Sequence, residues 1–333
     1  MEYFCAAITE NGFYNGFSEV FNEQNLKRLY VIKGASGVGK STLMRKIAAE
    51  GEKRGRSVDR IYCSSDPNSL DGVIVGDIGV IDGTPPHAYE PKMAGAFETL
   101  VDLGQFWDKK RLEKERERLL MLGAEKKRNF ERIYELTALY GKATDVIYSE
   151  KAGTYNKEKI DAYTHSLVKR KLQKGKKGEK KQRIFSSTLG KTLLPICKKQ
   201  YSVGEKLGFA PLFMDSLITE LEKSGIEFFF SPELPSLRRV ETVYIPSLNV
   251  VYTTVQGGRN INGERFLKSC LPREKRVPKD HLLTTLSVLE SRIEHERNLA
   301  MQKHYDIERI YIDAMDFVLL EKYTKSLIGE IFS

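Results

Sequence analysis

The chain has 333 residues, 41% hydrophobic and 30% charged, which excludes global disorder and collagen-like structure and exceeds what one core serves, so two or three domains are expected. No run approaches the ~20 apolar residues that span a bilayer, and Glu2 stands where a secretion signal carries positive charge, which points to a cytoplasmic chain with no membrane partner. The formal net charge of +9 is concentrated: nine basic residues and one acidic, Glu179, lie between Lys169 and Arg183, and the remainder holds 45 basic against 44 acidic residues.

The first predicted element is a buried parallel strand over Leu29-Tyr30-Val31-Ile32, a short run rich in β-branched and aromatic residues. It leads into Gly34-Ala35-Ser36-Gly37-Val38-Gly39-Lys40-Ser41, a full match to the phosphate-loop pattern GxxxxGK[ST]. Leu43, Met44, Ile47 and Ala48 then fall on one face of a helix that Gly55 can end. Strand, glycine loop and helix come in the order a polyphosphate cradle requires. Glycines let backbone N–H groups converge, and the helix N-terminus adds partial positive charge. Lys40 would reach the β- and γ-phosphates, Ser41 would ligate Mg²⁺, and Thr42 would support the first turn.

A second strand is expected over Val58–Cys63, followed by Asp66 before Pro67. Asp66 could orient an acceptor or a water beyond the strand's carboxyl end, or make a structural turn. The run Ile78-Gly79-Val80-Ile81-Asp82 ends in a carboxylate followed by Gly83-Thr84-Pro85-Pro86. Asp82 is the candidate Walker-B-like ligand to the metal, with only the strand Val58–Cys63 between it and the loop. His87 and Glu90 follow, where a γ-phosphate sensor or general base could sit, or where a histidine could simply lie on the surface.

Trp107 adjoins Asp108, a helix N-cap candidate, and helices are expected from Asp108 to about Tyr148 with interruptions near Gly123 and Gly141. The basic run from Val168 to Arg183 reads as a linker or hairpin tip, with nucleic-acid phosphates or another partner as its less favoured uses. Phe228-Phe229-Phe230 reads as a buried strand of a second core, and an amphipathic helix is expected over Lys279–Tyr305. Cys5, Cys63, Cys197 and Cys270 have no metal or redox spacing and read as reduced structural thiols.

An ungapped shift of 170 lays Gly34 on Gly204, Met44 on Met214, Glu50 on Glu220, Glu52 on Glu222, Lys53 on Lys223 and Gly55 on Gly225. It also lays Ile78–Ile81 on Leu248–Val251, and these matches together suggest duplication. In the second copy Lys40 falls on Ala210, Ser41 on Pro211 and Asp82 on Tyr252.

The motifs GASGVGKST (Gly34–Thr42), CSSDPNSLDG (Cys63–Gly72), VIDGTPPHAYEP (Val80–Pro91) and LVDLGQFWD (Leu100–Asp108) together resemble an uncharacterised bacterial family of tandem P-loop ATPase-like proteins. The resemblance implies an α/β fold of the P-loop NTPase kind, a three-layer sandwich with a mostly parallel sheet, followed by inserted helices and a second, degenerate α/β domain. The expected division is 1–107 nucleotide-binding, 108–183 helical segment and basic linker, and 184–333 degenerate domain with C-terminal helices. Neither an LSGGQ-type signature nor NKxD is present, so ATP with Mg²⁺ is expected by default. The favoured function is an ATPase or ATP-dependent switch acting on a protein partner. The alternatives are a small-molecule or nucleotide kinase and a nucleic-acid-associated NTPase.

Overall fold

A computed structural model describes residues 1–187, 191–204, 206–255, 264–266 and 281–333. The chain opens with β1 (Glu2–Phe4), β2 (Ala6–Thr9), β3 (Gly12–Asn15) and α1 (Phe17–Val20), then β4 (Arg28–Lys33), α2 (Lys40–Lys53), β5 (Val58–Tyr62), β6 (Leu70–Val75), β7 (Ile78–Asp82) and β8 (Glu98–Asp102). Helices α3 (Lys109–Lys114), α4 (Arg116–Ala152) and α5 (Lys157–Leu167) follow. Next come β9 (Lys180–Gln182), β10 (Lys199–Ser202), α6 (Phe209–Lys223), β11 (Phe228–Pro232), β12 (Val240–Ile245), β13 (Val250–Thr253), β14 (Glu264–Phe266), α7 (His281–Asp313) and α8 (Phe317–Ile331).

The architecture is mixed α/β and divides into two compact units, one of residues 1, 15–133 and 293–333, the other of 2–14 and 134–292. The divisions fall inside α4 and inside α7. The C-terminal helical residues therefore group with the first unit, whereas the sequence reading grouped them with 184–333. An amphipathic stripe announces a helix but not the surface it will cover.

In the first unit the strands run β5-β6-β7-β4-β8. β4 is parallel to both β7 and β8, whereas β6 is antiparallel to β5 and β7. The sheet is mixed because β6 and β7 form a hairpin across the two residues Gly76-Asp77, with Gly76 at φ +64°, a conformation glycine adopts freely. The sequence reading missed β6, although a Gly-Asp pair between apolar runs is a hairpin signal. The predicted face of α2 is buried: Leu43, Met44, Ile47 and Ala48 share a core with Ile32, Val73 and Val80 of the sheet and with Leu320, Leu327 and Ile331 of α8.

The second unit repeats the pattern: β11-β12-β13-β10-β14 with antiparallel, antiparallel, parallel and parallel pairings in the same order. A shift of 170 carries β5 onto β11 and β6 onto β12, including the irregularity between Ile61 and Tyr62, which recurs between Ser231 and Pro232. The β12–β13 connection, Pro246 to Asn249, is longer than Gly76-Asp77. Accordingly Thr242 pairs with Thr253 where Gly72 pairs with Ile81. The position of Asp82 therefore falls on Thr254, not on Tyr252 as the ungapped shift predicts. The residue that opens the helix, Lys40 in the first unit, is the buried Phe209 in the second. Glu205, Cys270 and the expected helix start at Lys279 lie outside the described residues.

Two further expectations change. α4 runs unbroken through Gly123 and Gly141. At Gly141 a Cβ would overlap the Glu10 carboxylate, so this glycine serves a close approach instead of ending the helix. The basic run is also more than a linker: β9 pairs in parallel with β11, Glu227 N donates to Lys176 O at 2.8 Å, and Lys180 pairs with Glu222. Lysines on an edge strand discourage further strand addition. Among the described residues no helix is long and apolar enough to cross a membrane.

Candidate functional site

In the first unit, β4 delivers the chain into the glycine loop at the sheet edge where β7 also ends, since Ile32 pairs with Asp82. Gly37 (φ +78°) and Gly39 (φ +89°) occupy the left-handed region that disfavours side chains. Val38 between them is fully buried and pins the loop to the core. Gly39 is also the N-cap of α2 and supplies no side-chain cap, so the first-turn N–H groups have no such acceptor. The outer side of the loop is closed by the C-terminal helices. A Cβ on Gly37 would sit 2.6 Å from Glu308 Cγ and 2.8 Å from Glu308 O, and one on Gly39 would sit 3.0 Å from Leu320 Cδ2.

Lys40, Ser41 and Asp82, predicted to act together, do converge. Lys40 Nζ donates to Gly34 O and Ala35 O, each at 2.7 Å, and lies 3.4 Å from Asp82 Oδ2. Asp82 Oδ1 accepts from Thr84 N at 2.9 Å and from the Thr84 hydroxyl. Burial pulls the Asp82 carboxyl above its ordinary range, opposed by Lys40 and Thr84. Ser41 Oγ accepts from Leu70 N at 3.0 Å, which leaves it a lone pair for a cation. Hydroxyl and carboxylate oxygens fit the hard-oxygen preference of Mg²⁺. Ala35 and Ser36 complete the loop backbone, and Thr42 is exposed on α2.

Asp66 makes the structural turn, its Oδ1 accepting from Asn68 N at 3.1 Å. It also acts electrostatically on α7, raising the pKa values of Tyr305 and Glu308, where burial is the larger cause. Glu90 is exposed and pairs with Lys33 at 2.8 Å. His87 is buried, not superficial: its Nε2 lies 3.0 Å from Asp71 Oδ2 and its ring 5.0 Å from that of Phe17.

Sequence reasoning missed Asp71. Because β6 is antiparallel, its first residues lie at the edge where β5 and β7 end, which brings Asp71 beside Cys63 and near Asp82. The Cys63 thiol, partly buried, is pushed well above its ordinary pKa by desolvation and then by Asp71. Two further side chains were also missed. Lys126 on α4 donates to His304 Nδ1 on α7 at 2.9 Å. Burial lowers the pKa of Lys126. His304 is held down to about 4 by burial and then by the charges of Lys126 and Lys40. Neither residue carries a local motif; distant helices supply them. The missed β6 was the available signal for Asp71.

The second unit presents different chemistry at the matching edge. Cys63 and Asp71 correspond, at a shift of 170, to the buried Glu233 and Glu241. Arg239 Nε donates to Glu233 Oε2 at 2.6 Å, and its Nη1 to Asp145 Oδ1 at 2.5 Å. Ser186 Oγ donates to Glu241 Oε2 at 2.5 Å, and Lys206 Nζ lies 3.6 Å from Glu233 Oε1. Comparison of the chain with protein-family models, curated proteins and solved structures returns no match.

Proposed function

We propose that the first unit binds Mg-ATP at Gly34–Thr42 and that the chain works as an ATP-dependent switch or slow ATPase of the tandem P-loop kind, its second unit having lost the nucleotide chemistry. The observation that carries this reading is the position of Lys40, held on two loop carbonyls and 3.4 Å from Asp82. Those carbonyls and Asp82 occupy the place that anionic oxygens would take. With nucleotide bound, Lys40 would exchange them for phosphate oxygens, the α2 N-terminus and loop N–H groups would hold the remaining charge, and Ser41 and Asp82 would hold Mg²⁺. Mg²⁺ would supply charge neutralisation at the β- and γ-phosphates.

The packing of Gly37 and Gly39 against Glu308 and Leu320 favours a switch. A loop that tightens on phosphate presses directly on α7 and α8, so two packings of those helices could be biased by nucleotide. Trp107, the chain's only tryptophan, packs with its ring tilted and its centroid 5.5 Å from that of Tyr311 of α7 and is a built-in reporter. The test pairs Trp107 fluorescence with the fate of γ-labelled ATP in Mg²⁺. The expected result is a saturable fluorescence change with label retained or released as free phosphate, and with turnover impaired in Asp82→Asn. Label recovered on an added metabolite or nucleotide would replace this reading with phosphotransfer, and no ATP-dependent signal or binding would end it.

A further inference from the structure

The side chains of Cys63, Asp71 and His87 bring a thiol, a carboxylate oxygen and an imidazole nitrogen within 4.8 Å of one another. They come from three separate pieces of chain: the end of β5, the start of β6 and the loop after β7. We propose that they form a binding site for one divalent transition metal of borderline softness, Zn²⁺ by ligand chemistry. The site adjoins the glycine loop but is independent of Ser41 and Asp82.

Three arguments converge on it. The first is geometry. Zinc bonds of about 2.0–2.3 Å place tetrahedral ligand atoms roughly 3.5 Å apart, so closing the observed cluster needs only small side-chain rotations. Asp71 is 4% exposed, and its Oδ2, although 3.0 Å from His87 Nε2, makes no aligned hydrogen bond. The neighbouring Ser64 hydroxyl, 3% exposed, also has no hydrogen-bond partner among the described residues. Such groups are costly unless something binds them.

The second is charge. At the matching edge of the other unit, Glu233 and Glu241 are satisfied by Arg239, Lys206 and Ser186. Among the described residues Asp71 has no Lys or Arg ion-pair partner, and its one ion-pair partner is the His87 imidazole, a group that can itself turn from countercharge to metal ligand by losing a proton. Metal binding would release the Cys63 thiol proton, and the His87 proton where it is present, to solvent, leaving a dication balanced by one thiolate and one carboxylate with imidazole neutral. The third is ligand type. Thiolate plus imidazole selects against Mg²⁺ and for Zn²⁺ or its neighbours, and three protein ligands leave a fourth position for water. The Phe17 ring against His87 would hold the imidazole plane in place.

The experiment uses the full chain, treated with chelator and free of nucleotide, titrated with Co²⁺ as spectroscopic probe. The site requires one equivalent of Co²⁺ producing a thiolate-to-metal charge-transfer band that Zn²⁺ abolishes. Cys63→Ser should lose that band with its circular dichroism unchanged, Cys197→Ser should keep it, and His87→Gln should weaken Co²⁺ binding by roughly tenfold or more. A wild-type chain with no thiolate band overturns the proposal, as does a band that survives Cys63→Ser. If Cys63→Ser does not fold, His87→Gln decides, and undiminished affinity there rejects the site. Omitting nucleotide keeps this outcome separate from that of the Mg-ATP reading.

Discussion

The two units build the same sheet and finish its edge in opposite ways. In the first, the charged groups at the strand ends are held by replaceable partners: Lys40 rests on loop carbonyls, and Asp71 has an unaligned contact with His87. In the second, the corresponding carboxylates are locked by side-chain cations and a hydroxyl. A shared topology therefore does not make a shared site. What separates an edge poised for a ligand from a structural one is whether its buried charges are already satisfied within the protein.

The strongest way to break this contrast is to unlock the second edge. Arg239 is 5% exposed at its side chain and bridges Glu233 and Asp145. Arg239→Ala leaves Glu233 buried without its main countercharge, a loss of about 3–5 kcal/mol, readable as a large fall in the urea midpoint. A change within experimental error would mean that the second edge is as loosely held as the first.

A lysine swap sharpens the contrast at the level of ligand binding. If Lys40 grips phosphate as proposed, Lys40→Ala would remove two charge-assisted contacts, about 3 kcal/mol or roughly 100-fold in the ATP dissociation constant. Lys206→Ala, at the other unit's loop, should leave that constant unchanged by calorimetry. Equal effects from the two variants would remove the assignment of nucleotide to the first unit alone.

The glycines test the scaffold behind those charges. Gly37→Ala places a Cβ in the left-handed region and against Glu308, a cost of about 2 kcal/mol. A Cβ at Gly204 meets nothing among the described residues within 4 Å, so Gly204→Ala should shift stability by less than about 0.5 kcal/mol. Comparable losses in denaturant titration would mean that Gly37 owes nothing to its contact with α7.

The sequence made local chemistry legible and long-range assembly opaque. The glycine loop, the buried face of α2, Asp82 at a strand end and the Asp108 cap, which accepts from Arg111 N at 3.1 Å, all follow from spacings within a few residues. The matching order of elements in the second half was visible too, but a longer turn before β13 moved the counterpart of Asp82 to Thr254. Asp71 was hidden because its role depends on the direction of β6, which one missed hairpin reversed. Lys126 and His304 were hidden for a different reason. Their helices carry ordinary amphipathic patterns, and only the tertiary arrangement of the first unit brings them near Lys40.

That last pair yields the smallest predicted effect and a distinctive sign. Lys126 can only donate, so His304 Nδ1 must accept, which requires a neutral imidazole. With the folded pKa near 4 and the unfolded one near ~6.5, the unfolded state binds the extra proton first as pH falls. The contribution is complete above about pH 6.5, declines below it and is gone below about pH 4. His304 is only partly buried, so solvent screening reduces it to the order of 1 kcal/mol. His304→Gln keeps a hydrogen-bonding side chain without the titration, and the difference between wild-type and variant stability should slope only in that window. A flat difference from pH 7 to 4 would mean that Lys126 and His304 do not share a desolvated contact, and would remove the second cation from the edge that Lys40 defines.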